Sequence, residues 1–160
     1  CNALSDQATQ SETIATHWNG YGQFIGHEEY NGDKKNGKRT YRDENGQIIF
    51  IENYKDGNLV GTLSYSYYSN GHKKTEMGYQ NDNLVSAKHW YENGSKSKVG
   101  GYKDGSYDGL WIDWYDNGQK RQVRYFEEGL EEGKWTYWDK NGQITSQEKY
   151  KEGECISGDC

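Results

Sequence analysis

The side chains able to do acid–base, metal or nucleophilic chemistry are scattered along this 160-residue chain. Its four histidines, His17, His27, His72 and His89, stand far apart, and no two have the short spacing of metal ligands on one element. The cysteines are Cys1, Cys155 and Cys160, with no histidine near the last two, so a four-ligand zinc site cannot be filled locally. No Gly-x-Ser-x-Gly elbow, phosphate-binding glycine loop or Cys–His pairing occurs. Carboxylates are plentiful, but Asp56, Asp104, Asp108 and Asp116 lie in turn sequences, where bonding to the local backbone accounts for them. Glu127, Glu128, Glu131 and Glu132 form the densest acidic patch. It could hold calcium or dock a basic partner, and a solvated turn is the plainer reading. With 19 Lys+Arg against 25 Asp+Glu, the net charge is −6. That balance disfavours nucleic acid, whose binding rests on neutralising phosphates, and anionic lipid surfaces. The expectation is a protein that is not an enzyme, with no catalytic or metal residue and no cofactor.

The elements that must carry these residues repeat. Asn-Gly steps begin at Asn45, Asn70, Asn93, Asn117 and Asn141, a period of about 24 residues. Nine residues after each Asn stands Tyr54, Tyr79, Tyr102, Phe126 or Tyr150; three before stands Arg42, Tyr67, Trp90, Trp114 or Trp138. Extended backwards, the pattern predicts a turn at Tyr21-Gly22, with Trp18 before it and Tyr30 after it. Asn-Gly favours a two-residue type I′ hairpin turn, and Tyr-, Trp-, Ile- and Val-rich flanks favour strands. The prediction is an all-β antiparallel meander of about six β-hairpins, forming an elongated single-layer or curved sheet. Only 31% of residues are hydrophobic, while 15% are aromatic, so burial must come from rings spread along the repeats.

Counting across a two-residue hairpin sorts the rings into two columns. Trp18, Tyr67, Trp90, Trp114 and Trp138 share a face with Ile49, Ile51, Val99, Ile112 and Val123. Tyr68, Tyr91, Tyr115, Trp111, Trp135 and Tyr137 share the other with Tyr54, Tyr102 and Tyr150. Both columns can be stacking ladders between hairpins. Because aliphatic residues accompany the first, it is expected to be the structural ladder and to bury itself. The second is then the candidate binding face, with Tyr hydroxyls that tolerate water.

The ends differ from the middle. Residues 1–16, CNALSDQATQSETIAT, are small, polar and aperiodic and read as a flexible tether. The repeat domain then spans 17–153, and 154–160 is a C-terminal cap. Setting Cys1 aside leaves Cys155 and Cys160, whose Gly158-Asp159 step can turn the chain back for a disulfide beside the last strand. The longest apolar run, Ile48–Ile51, is far too short to span a bilayer as a helix.

The pattern YKDG-x-x-DG-x-W-x-x-[WY]-Y-x-NG, clearest in Tyr102–Gly118 and Gly129–Gly142, resembles the bacterial variant of the MORN repeat. That form occurs in YwqK-type antitoxins and in many envelope lipoproteins. The resemblance covers about residues 17–153; the unit Tyr79–Gly94 departs from it at Asp82 and at Ser86, where Gly is expected. It implies the fold and supplies no catalytic residue. Cys1 followed by a polar tether resembles a mature bacterial lipoprotein acylated on that cysteine, and Asn2 resembles the sorting signal of outer-membrane lipoproteins. Together these resemblances imply an envelope lipoprotein, held to the bilayer through Cys1. It would serve as a protein-interaction module for another envelope protein or membrane complex. An antitoxin or immunity protein is the alternative, and a cell-surface glycan-binding repeat protein a second.

Overall fold

The computed structural model describes residues 12–18 and 24–160, and every regular element among them is a strand. The described residues fall into two compact units, divided between Val60 and Gly61. The first holds β1 (Glu12–Trp18), β2 (Phe24–Asn31), β3 (Lys34–Lys35), β4 (Gly37–Arg42) and β5 (Ile48–Lys55). Its strands pair antiparallel as β1-β2-β3 and as β4-β5. β6 (Asn58–Tyr67) leads into the second unit. There follow β7 (Lys73–Gln80), β8 (Asn83–Trp90), β9 (Lys96–Lys103), β10 (Ser106–Trp114), β11 (Lys120–Glu127), β12 (Leu130–Trp138), β13 (Ile144–Lys151) and β14 (Glu154–Gly158). From β6 to β14 each strand pairs antiparallel with the next, which is the expected meander.

The ends carry more strand than expected. Residues 12–16, read as tether, belong to β1, which pairs with β2 from Glu12↔Asn31 to Trp18↔Phe24. Thr13, Ile14 and Thr16 are β-branched and suit a strand; the polar composition around them concealed it. The predicted turn at Tyr21-Gly22, and Cys1 with it, lies outside the described residues. At the other end, the cap is β14, paired with β13. Cys155 and Cys160 form a disulfide, with Cα atoms 6.1 Å apart.

The two kinds of turn exchange the roles expected of them. At Asn-Gly only the glycine has positive φ, as in Gly71 (84°), Gly94 (83°) and Gly118 (84°). Gly71 N donates to Tyr68 O, and Tyr68 N to His72 O. The loop is therefore a three-residue one, a type I turn followed by a left-handed glycine. The type I′ geometry sits instead at the two-residue turns between hairpins. There both central residues have positive φ: Asp56-Gly57, Asn81-Asp82, Asp104-Gly105, Glu128-Gly129 and Glu152-Gly153. The three-residue loop pairs Trp114 with Lys120, and the register then shifts by one, so that Asp113 pairs with Gln122. The same shift follows Tyr67, Trp90 and Trp138. Beyond it the pairing equals that of a two-residue hairpin, and for that reason the facial grouping survives the wrong turn type.

Candidate functional site

In the second unit, register places Lys98, Asp113, Gln122 and Tyr137 opposite one another on one face, and Val99, Ile112, Val123 and Thr136 on the other. Trp111 and Trp135 lie two residues from Asp113 and Tyr137 and share their face. Here the expectation about burial is reversed. Trp111 is 1% exposed and Trp135 6%, and with Phe126 they form the core, backed by Tyr102, Tyr137 and Tyr150. The physical reason is a glycine. A Cβ on Gly100, beside Trp111, would stand 2.0 Å from the indole ring, so only glycine lets the ring lie flat on β9. Trp111 Nε1 donates to Gly101 O at 3.0 Å, and Trp135 Nε1 to Tyr125 O at 3.1 Å. The buried indoles thus keep their polar atoms satisfied. Rings continue from Trp111 through Tyr107 (4.2 Å between centroids) to Phe126, Trp135 and Tyr150. Tyr137 and Tyr150 hydroxyls both donate to Glu148, and burial and that carboxylate push Tyr137 up to about 12.

Tyr68, Tyr91 and Tyr115, expected on the binding face, are bonded to their own chain. Their hydroxyls donate to Trp90 O, Trp114 O and Trp138 O at 2.8, 2.7 and 2.9 Å, and each residue is only half-exposed. Asn70, Asn93 and Asn117 run parallel to them, each donating through Nδ2 to a carbonyl of the following turn (Glu92, Asp116, Lys140). Each turn is therefore stitched to the next by one Tyr and one Asn. These Asn bonds could not be read from a turn propensity, and the recurrence of Tyr two residues before Asn-Gly, every 23 or 24 residues, was their signal.

The Trp column is less buried than expected. Trp90, Trp114 and Trp138 are half-exposed, Tyr67 likewise, and Trp18 is 61% exposed. Lys73 Nζ lies over the Trp90 ring at 5.1 Å and bonds to Glu76 at 2.9 Å. Burial works against the Glu76 carboxylate, but bonds from Lys88 and Lys73 outweigh it and hold the group below its ordinary range. On the same face Leu110 pairs directly with Tyr125, at 52% and 42% exposure, beside half-buried Val99, Ile112 and Val123. These form an outward apolar strip.

Polar chemistry gathers on the opposite face. Asp113 is buried, accepts hydrogen bonds from Gln122 Nε2 at 2.6 Å and Arg124 Nη2 at 3.1 Å, and forms an ion pair with Lys98 Nζ at 3.3 Å. His89 pairs with Lys98 across the strands; burial, then the Lys98 charge, push its imidazole below the ordinary value. His72 Nδ1 contacts Glu92 O. In the acidic patch Glu128 pairs with Lys103 and Glu132 accepts from Glu152 N. Among the described residues no three His, Cys, Asp or Glu side chains converge as metal ligands would.

The family model described as MORN repeat variant matches three stretches, residues 35–56, 107–129 and 131–152. The second and third each span strand, Asn-Gly loop, strand and following turn. Comparison with curated proteins gives no match. Among solved structures, a Bacteroides fragilis protein of unknown function is similar at 13% identity, over 92% of this chain and 88% of its own, with a TM-score of 0.21.

Proposed function

We propose, from the match of three of its repeats to the MORN repeat variant family, that the chain is a non-catalytic module that binds a protein partner. The observation carrying this reading is the strip formed by Leu110 and Tyr125 beside Val99, Ile112 and Val123. It offers an aromatic and an aliphatic anchor on rigid strands, framed by polar side chains, as interaction hot spots require. The partner is an envelope protein in this reading. The Cys155–Cys160 disulfide supports it, because such bonds persist in oxidising compartments. The test is capture of partners with wild type and with Leu110→Glu/Tyr125→Glu, both side chains being exposed enough to leave folding intact. A partner that is retained by wild type and lost by the variant, at unchanged melting temperature, is the expected result. Equal retention by both removes the strip from the interface.

A further inference from the structure

The face opposite that strip carries a groove of about 410 Å³ that the reading above does not use. His89, Lys98 and Asp113 stand directly across from one another on β8, β9 and β10 and form its middle. Tyr91 and Arg121 line it toward the Asn-Gly loops, and Tyr102, Tyr107 and Trp111 toward the two-residue turns. The volume falls within the range of small-ligand sites.

Its hydrogen-bonding capacity is unbalanced. Asp113, the acceptor in the middle, is already engaged by Lys98, Arg124 and Gln122. Lys98 is held beside Asp113 as an ion pair, and its ammonium carries three donors for a further acceptor. Arg121 lines the groove, is exposed and makes no ion pair or hydrogen bond among the described residues, so its guanidinium donors are uncommitted. A chain of net charge −6 therefore holds a pocket with a surplus of cationic donors. A neutral sugar needs acceptors as well as donors and an open ring face to stack on. The carboxylate here is already engaged by three donors, and the Trp111 face is covered by Tyr107. Tyr107 itself is 37% exposed and meets Tyr102 edge-on at 5.4 Å, and these two rings form the apolar wall.

We propose that this groove binds the terminal carboxylate of a peptide ending in an aromatic residue, the carboxylate held by Arg121 and Lys98 and the ring set against Tyr102 and Tyr107. Arginine suits this task because its fork meets both carboxylate oxygens. A C-terminal aromatic residue places a ring and a carboxylate on one α-carbon, and Lys98 Nζ, 5.9 Å from the Trp111 ring that packs on Tyr107, joins the cationic end of the groove to its ring wall.

The experiment is an NMR titration of the full chain with N-acetyl-phenylalanine, with its amide, and with glucuronate. Saturable shifts confined to residues 89–121 are expected with the acid. Affinity should fall about tenfold or more for the amide and equally for Arg121→Gln, since each removes one partner of the charged pair. Leu110→Glu should leave this binding unchanged, which separates the site from the strip on the other face. Equal affinity for acid and amide, no effect of Arg121→Gln in a variant of wild-type stability, or no saturation at millimolar acid would overturn the proposal. Tighter binding of glucuronate than of the aromatic acid would also overturn it, in favour of a sugar acid.

Discussion

At the scale of single residues, the decisive contact is Trp111 on Gly100. Trp111→Ala should cost about 3–5 kcal/mol in chemical denaturation, as for other buried aromatic deletions. Gly100→Ala should cost about 1–3 kcal/mol by overpacking. The double variant should lose less than the sum, because the added methyl then enters space the ring vacated. The grouping of Trp111, Trp135 and Tyr137 with Tyr102 and Tyr150 was legible in the spacing. Which face is buried was not, because aliphatic content was weighed above the glycine that admits a ring. His89 gives the pH dependence at this scale. Its folded imidazole takes up a proton less readily than the unfolded one, since burial and Lys98 oppose the charge. As pH falls below about 6.5, the ordinary value, the unfolded chain protonates first and stability declines. Melting temperature should therefore drop between pH 7.5 and 5.5, and His89→Gln should make that drop shallower.

At the scale of the element, the residue two before each Asn decides how a loop is held. Where it is Tyr, as at 68, 91 and 115, the hydroxyl leaves for the next repeat and Asn Oδ1 accepts from the loop backbone (His72 N, Ser95 N, Gln119 N). Where it is Asp, as at 43 and 139, Asp Oδ1 takes the loop amides itself (Asn45 and Gln47; Asn141 and Gln143). The Asp loops are self-sufficient and the Tyr loops are linked forward. Tyr115→Phe, which deletes only the bond to Trp138 O, should lower stability by about 1 kcal/mol in a denaturant melt. Asp139→Ala should cost a comparable amount while leaving the neighbouring loop unaffected. The sequence marked every loop, since Gly is required at its left-handed position. It could not distinguish type I′ from the three-residue form, because Asn-Gly serves both.

At the scale of the whole molecule, repetition made the fold legible: a fixed period with fixed offsets admits little besides a meander of hairpins. What repetition hides is uneven strength. In the second unit the large buried rings, Trp111, Phe126 and Trp135, all belong to β10, β11 and β12. β8 contributes Ala87 to the interior. Its Ser86 also lacks the left-handed conformation of the glycines at matching places, Gly109 and Gly133. Stability should be graded accordingly. Native-state hydrogen exchange should find the slowest amides in β10–β12 and faster exchange in β7 and β8. Uniform protection from β6 to β14 would show that the strands open as one.

The loops also set how this protein ages. An Asn-Gly step degrades when the glycine amide attacks the asparagine side chain, closing a succinimide that opens mainly to isoaspartate; such asparagines are thermolabile. Every one of these glycine amides is engaged, donating to the carbonyl three residues before it at 2.9–3.1 Å. At Asn70, Asn93 and Asn117 the side-chain amide is engaged too, so nucleophile and electrophile are both held away from closure. At Asn45 and Asn141 no side-chain bond fixes the amide among the described residues, because Asp43 and Asp139 have taken over its role. Peptide mapping of aged protein should find isoaspartate at 45 and 141 first. The stitches that align the repeats would then also be what preserves the covalent chain.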